Sequence, residues 1–370
     1  MIFLLISGFP DSILPFRGAL IEELQAKGQT VHIAAPDLAP LSPLRLALEA
    51  RGIVVHEIPL HRARTSPLGD ARLLLRLVWL MLKIRPQRVL SYTVKPVVYG
   101  TLAAWIARVP DRYSLVTGLG YAFQGEGERK LLRSIVRLLY ALAMRSSRMV
   151  FFQNPDDTIL FRQMGILPPG KHSCVVNGSG VDLAAYAVTP LPAGHRFLLI
   201  ARLLGDKGVR EYAEAARRIH MEHPSAVFAL VGWIDENPDS IRQRELDSWI
   251  AEGSVKYLGR LSDVRQAIAD CNVYVLPSYR EGTPRTVLEA MSMGRAIITT
   301  DAPGCRETVV DGVNGLLVPV KSAQALEHAM MQFIENPMLA LQMGQRSRDL
   351  AEGKYDVHRV NAQMLSEMGI

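Results

Sequence analysis

The strongest constraint on the fold is a rhythm in the chain. Short, uninterrupted apolar runs alternate with helix-patterned stretches, and the alternation restarts after a proline-bearing join. The first set of runs covers residues 2–6, 30–34, 53–57, 88–92, 113–117 and 149–153. The second covers 196–201, 227–232, 255–258, 273–276, 296–300 and 315–318. Runs this short and this apolar suit strands buried on both faces of a parallel sheet. Helical patterns at 17–27, 70–84 and 130–148, then 208–221, 240–251, 264–270 and 286–293, supply the crossovers. The join at 184–194 holds Pro190, Pro192 and Gly194. The expected architecture is therefore α/β, with two Rossmann-like doubly wound domains at 1–185 and 190–354, and a terminal helix at 355–370 packing back on the first. Ligands of such sheets bind beyond the carboxyl ends of the strands, and a cleft between two facing domains is the default site.

Composition removes several classes. No stretch approaches the ~20 apolar residues that span a bilayer. The amino terminus has no basic segment before its short apolar run, so no signal peptide is expected. Cys174, Cys271 and Cys305 lack metal-ligand spacing and read as reduced thiols. A cytoplasmic protein is expected, meeting a membrane, if at all, from its surface. Residues 1–185 hold 22 Lys+Arg against 13 Asp+Glu, a balance of +9; residues 186–370 hold 20 against 23, a balance of −3. The basic half is the one to associate with an anionic partner: nucleic acid, an anionic lipid surface or a phosphorylated substrate.

Two segments carry the chemistry. Arg202-Leu203-Leu204-Gly205-Asp206-Lys207-Gly208 follows a buried strand and opens a helix. A diphosphate there would meet two fixed cations and a helix N-terminus. Leu276-Pro277-Ser278-Tyr279-Arg280-Glu281-Gly282-Thr283-Pro284 follows another strand and leads into a helix at 286–293. Gly282 admits close backbone approach. Glu289, eight residues past Glu281, sits among apolar neighbours, and a pair of sugar hydroxyls would give it a reason to be there.

The ordered set Arg202…Lys207-Gly208, Glu281…Glu289, Gly294, Asp301–Glu307 and Asp311–Val318 resembles the family 4 retaining glycosyltransferases of GT-B fold. In the first half, Phe16-Arg17-Gly18, Tyr92–Pro96, Thr117–Phe123 and Asn177–Asp182 are similar to a bacterial subgroup that builds lipid-linked oligosaccharides, capsule and exopolysaccharide. The resemblance implies that Arg202 and Lys207 hold the donor diphosphate, that Glu281 contacts the transferred sugar, and that the amides of Gly282, Thr283, Pro284 and Arg285 complete the cradle. It further implies that Glu289 binds the ribose, that backbone near Gly232 and Leu258 receives the base, and that Gly8 permits approach to the diphosphate. The implied donor is a nucleotide-diphosphate sugar, UDP-linked, and the implied acceptor a polyprenyl-diphosphate-linked saccharide. No cofactor and no metal are implied. Relatives carry a histidine near the reacting sugar where Thr117-Gly118-Leu119-Gly120 stands here, so no histidine role transfers.

Arg17, Lys95, Thr117 and Asn154 are the acceptor-side candidates of the basic half. Arg72, Arg76, Trp79 and Lys83 share one helical face, and Arg133, Arg137, Arg145 and Arg148 align on another. Such faces suit the inner surface of the plasma membrane or solvent. No nucleic-acid module is present. Two rival functions remain: a catalytically inactive sugar-nucleotide or lipid-binding subunit of this fold, and a dinucleotide oxidoreductase. The second lacks its motif, since Ser7-Gly8-Phe9-Pro10-Asp11 follows the first strand in place of Gly-x-Gly-x-x-Gly.

Overall fold

Two all-parallel sheets organise the protein. The computed structural model describes residues 1–61, 66–118, 130–235 and 237–370, the side chains of 130–133 excepted. The chain divides into two compact units, Met1–Ser179 with Val360–Ile370, and Gly180–Arg359.

The first unit runs β1 (Ile2–Ser7), α1 (Ile13–Ala26), β2 (Thr30–Ala35), α2 (Pro43–Glu49), β3 (Val54–Glu57), α3 (Pro67–Ile84), β4 (Arg88–Tyr92), α4 (Thr101–Ile106), β5 (Asp111–Val116), α5 (Lys130–Ser146), β6 (Met149–Phe152), α6 (Pro155–Gln163) and β7 (Ser173–Val175). Its strands lie in the order β3-β2-β1-β4-β5-β6-β7. The register is continuous across the centre, with Ser7 opposite Tyr92 and Tyr92 opposite Leu115. Order reverses between β1 and β4, which opens a crevice at the carboxyl ends of those two strands. Phe3, Leu5, Leu90 and Phe151 point to one face, and Leu4, Ile6 and Val89 to the other, so alternate residues of one strand fill two separate cores. Burying each such side chain stabilises the fold by about 1.5–3 kcal/mol.

The second unit runs β8 (Arg196–Ile200), α7 (Val209–Glu222), β9 (Val227–Val231), α8 (Gln243–Ala251), β10 (Lys256–Tyr257), α9 (Arg265–Ala269), β11 (Val273–Leu276), α10 (Arg285–Ser292), β12 (Ala296–Thr300), β13 (Gly315–Val318), α11 (Ala323–Glu335) and α12 (Pro337–Leu350). The order β10-β9-β8-β11-β12-β13 reverses between β8 and β11. The last helix, α13 (Val357–Met368), buries Val360, Met364, Leu365 and Met368 in the first unit's core.

Several boundaries differ from expectation for physical reasons. Helix α1 begins at Ile13, four residues before the expected start, because Pro15 lies within its first turn, where no intrahelical N–H bond is lost. Strand β7 was not expected: its three residues are only partly buried and carry little apolar signal. Strand β10 is shorter than the 255–258 run, and α2, α4, α6, α11 and α12 fill stretches given no helix. Arg148 lies past the end of α5 and is ion-paired with Asp111, so it does not share a helical face with Arg137 and Arg145. The side chain of Arg133 and the 119–123 part of the Thr117–Phe123 motif lie outside the described residues.

Candidate functional site

The C-terminal switch point gathers the charged residues that the sequence singled out. Arg202 and Lys207 leave the end of β8, and Glu281 leaves the end of β11, its neighbour in the sheet. Lys207 Nζ donates to Glu281 Oε1 at 2.6 Å, and both side chains are mostly buried, at 15% and 17% exposure. Arg202 Nη1 donates to Asp235 Oδ2 at 2.8 Å. Each cation is thus held by a carboxylate, the kind of group a phosphate oxygen replaces without changing donor geometry.

Backbone close approach explains why the turns are shaped as they are. Gly208 has φ +69, and a Cβ there would lie 2.2 Å from Pro277 O. Tyr279 N donates to Asp206 O at 2.8 Å, so the turn after β8 and the loop after β11 are stitched together. Gly304, at φ +81, lies against the same loop: its Cβ would meet Glu281 O at 2.2 Å. Glu281 N donates to Pro303 O at 2.9 Å, which places the 301–307 motif beneath the glutamate as its support. Buried Tyr274 donates toward Ile200 O at 3.1 Å and bonds Thr286 Oγ1 at 2.6 Å, tying β8 to the start of α10.

Glu289 is 5% exposed inside α10, and burial raises its carboxyl above the ordinary range. Arg285 Nε donates to its Oε1 at 2.7 Å, and Tyr186 also hydrogen-bonds to it. Arg285 and Glu289 were expected to act separately; here they form an i,i+4 ion pair. Two further expectations change. Pro284 has no N–H, so a cradle from this loop rests on Gly282, Thr283 and Arg285. The Leu258 amide is taken up by Leu230 O at 2.9 Å, as an extension of the β-ladder. Gly232 follows β9, and a Cβ there would lie 1.9 Å from Ala201 O, so strand packing already requires the glycine.

At the N-terminal switch point, Gly8 follows β1 and Lys95 follows β4. Gly8 N donates to Thr93 Oγ1 at 3.1 Å, and a Cβ would meet that oxygen at 2.6 Å. Lys95 Nζ donates to Asp70 Oδ1 at 2.7 Å, and Tyr99 OH donates to Asp70 Oδ2 at 3.1 Å. Thr117, just past β5, is partly exposed at the same carboxyl edge. The other two candidates are buried. Arg17 is 1% exposed within α1, with its guanidinium 5.4 Å from the centre of the Tyr92 ring, because the helix starts upstream of it. Asn154 is fully buried and caps α6: its Oδ1 accepts from Asp157 N at 2.8 Å.

Asp235 and Tyr186 were missed, and Gly304 was seen only as part of the 301–307 motif. Asp235 had a readable signal, since it follows β9 by four residues, as Lys207 follows β8 by seven. Tyr186 lies in the join between the repeated patterns, where no periodicity points to it.

A family description, glycosyl transferase 4-like, matches residues 4–154, and another, glycosyl transferases group 1, matches residues 194–336. The chain is 30% identical over 352 residues, 91% of its length and 90% of the relative's, to N,N'-diacetylbacillosaminyl-diphospho-undecaprenol alpha-1,3-N-acetylgalactosaminyltransferase of Campylobacter jejuni. It is 24% identical over 309 residues, 80% of this chain and 79% of the other, to UDP-Gal:alpha-D-GlcNAc-diphosphoundecaprenol alpha-1,3-galactosyltransferase of Escherichia coli. Its fold superposes on sucrose-phosphate synthase of Thermosynechococcus elongatus with a TM-score of 0.82 at 19% identity, covering 98% of this chain and 97% of that one. With two parallel-sheet units, a charged switch point above β8 and β11 and this degree of identity along nearly its whole length, the chain belongs to the family 4 glycosyltransferases of GT-B fold.

Proposed function

We propose that this glycosyltransferase moves a hexose or N-acetylhexosamine, with retention of anomeric configuration, from a UDP-sugar to a polyprenyl-diphosphate-linked saccharide. The observation that carries the reading is the pair of cation–carboxylate contacts at one switch point, Arg202–Asp235 and Lys207–Glu281. A donor diphosphate satisfies both cations and frees Glu281 to face the transferred sugar. The names of the relatives support the substrate class, one of them taking UDP-Gal and both acting on diphospho-undecaprenol sugars.

In this reading Arg202 and Lys207 stabilise the charge that grows on the diphosphate as its bond to the anomeric carbon breaks. The acceptor hydroxyl attacks from the same face, and its proton passes to the departing phosphate oxygen. UDP and the extended lipid-linked glycan are the products. Proximity and electrostatics supply the rate, with no protein nucleophile and no metal. Glu281 offsets positive character at the anomeric carbon. Glu289 exchanges part of its contact with Arg285 for the ribose hydroxyls. The first unit takes the acceptor, with Lys95 and Thr117 at its carboxyl edge, and meets an anionic membrane on its cytoplasmic side.

Incubation with a panel of UDP- and GDP-sugars and an undecaprenyl-diphosphate saccharide tests this, with product stereochemistry read by NMR. An axial linkage formed from one UDP-sugar is the expected result. Binding of UDP-sugars without turnover across the panel, or an inverted linkage, contradicts it.

A further inference from the structure

The helices on one side of the N-terminal sheet expose apolar side chains in a concentration that their basic residues alone do not explain. On α3, Leu75 is 69% exposed and Trp79 49%, one turn apart on a stripe whose opposite side packs Leu73, Leu77 and Leu80 into the core. On α4, Trp105 and Ile106 are 57% and 49% exposed, while Ala103 and Ala104 face inward. On α5, Leu138 and Leu142 are exposed at i,i+4 spacing, with Tyr140, Ala143 and Met144 buried beneath. Helix α4 packs against both α3 and α5, so the three stripes lie side by side. A soluble surface of this size has no reason to stay uncovered.

Charge identifies the cover. The three helices contain a single acidic residue, Asp70, and it is occupied by Lys95 and Tyr99. Among the described side chains, their exposed cations are Arg72, Arg76, Lys83, Arg137 and Arg145. Arg76 and Lys83 stack on Trp79, 4.4 Å and 5.2 Å from its ring centre, so the cations flank the apolar residues rather than cap them. Long basic side chains beside an aromatic ring can keep their charged ends at the headgroup level while the ring enters the acyl boundary. A protein partner would be expected to meet some acid on this face, whereas an anionic lipid surface asks only for apolar side chains ringed by cations.

We propose that α3, α4 and α5 together form a shallow insertion surface for an anionic phospholipid bilayer, with Trp79 and Trp105 as its aromatic anchors. This deepens the reading that the acceptor is lipid-linked and rests on it. It also changes the expected attachment. Basic faces alone hold a protein by charge and release it in salt, whereas an inserted apolar surface retains part of its hold.

Vesicles of phosphatidylcholine with phosphatidylglycerol test the proposal, read by co-sedimentation and by tryptophan fluorescence with bromine-labelled lipids as quenchers. The wild-type protein is expected to bind, to keep a measurable fraction bound in high salt, and to show quenching. The variant Trp105→Ser, Ile106→Ser, Leu138→Ser is expected to lose binding at least tenfold while turning over a short-chain, water-soluble acceptor within about twofold of wild type. The variant Arg72→Gln, Arg76→Gln, Lys83→Gln is expected to lose the salt-sensitive part. Unchanged vesicle binding by the apolar variant, or no quenching in the wild type, overturns the proposal. So does a wild-type dimer that the apolar variant turns into a monomer, since a second copy then covers the surface. Failure to turn over the soluble acceptor with intact vesicle binding counts against the proposed reaction instead.

Discussion

The two switch points are built alike and equipped differently. Each lies where a parallel sheet reverses order, between β1 and β4 in one unit and between β8 and β11 in the other. Above β8 and β11 stand Arg202, Lys207, Glu281 and Asp235, paired across loops that glycines hold in close contact. Above β1 and β4, Lys95 is bound to Asp70, the buried Arg17 guanidinium lies over the ring of Tyr92, and Asp11 sits on the turn after β1. The fold supplies the same crevice twice, and in the proposed reaction the residues at the strand ends decide which one grips a diphosphate. The N-terminal unit carries its excess charge on helices, facing outward.

The largest effect that would sharpen this contrast is at the C-terminal pair. Lys207→Ala or Glu281→Gln should lower turnover by about 10²–10³-fold with the fold preserved, since transition-state charge stabilisation of this kind is worth that much. The matching change Lys95→Gln should raise the acceptor KM several-fold and leave donor affinity alone. Similar losses of donor affinity from both sites, by titration calorimetry, would break the contrast. Backbone changes come next. Gly208→Ala forces a Cβ to 2.2 Å from a carbonyl at positive φ, and should cost about 2–4 kcal/mol in denaturant unfolding. Gly8→Ala meets the side-chain oxygen of Thr93, which can rotate, and should cost about 1 kcal/mol.

Asp235→Asn should tighten donor binding by about threefold to tenfold with little change in kcat, because it removes a charge that competes with phosphate for Arg202. Weaker donor binding would show instead that Asp235 positions the arginine. Away from both switch points stands the His32–His56 pair, whose ring nitrogens meet at 3.0 Å. Burial first, then the charges of His32, Arg45, Arg76 and Lys83, lower His56 from 6.5 to about 4. The unfolded chain therefore takes up a proton near 6.5 that the folded one resists, and stability falls as pH drops from 6.5 toward 4. Discounting for the partial exposure of His56, the loss is about 1–2 kcal/mol, and His56→Gln should reduce it in unfolding measured at pH 7 and pH 5.

Much of the C-terminal site was legible because its residues are charged, lie at strand ends and sit at short spacings from apolar runs. Arg202, Lys207 and Glu281 all obey that rule. Glu289 was visible as an acid among Leu288, Ala290 and Met291, but its ion pair with Arg285 was not, since i,i+4 spacing allows the contact without requiring it. Arg17 and Asn154 show where the reading stops. Each stands near a strand or helix end, as a ligand residue would, yet one is buried on the inner face of α1, which starts earlier, and the other caps the next helix. Side chains of the same type satisfy backbone or bind substrate, and only tertiary packing separates the two. The exposed apolar stripes were unreadable for the reverse reason. A leucine in a helical pattern reads as core until a neighbouring helix is shown not to cover it.

The central claim is that the C-terminal switch point is the donor site. Titration of UDP into the wild-type protein, Lys207→Ala and Glu289→Ala tests it most directly, with GDP as the control. The account predicts binding of UDP over GDP by wild type, and a loss of about tenfold or more in each variant while Lys95→Gln binds normally. Equal UDP affinity in wild type, Lys207→Ala and Glu289→Ala would contradict it.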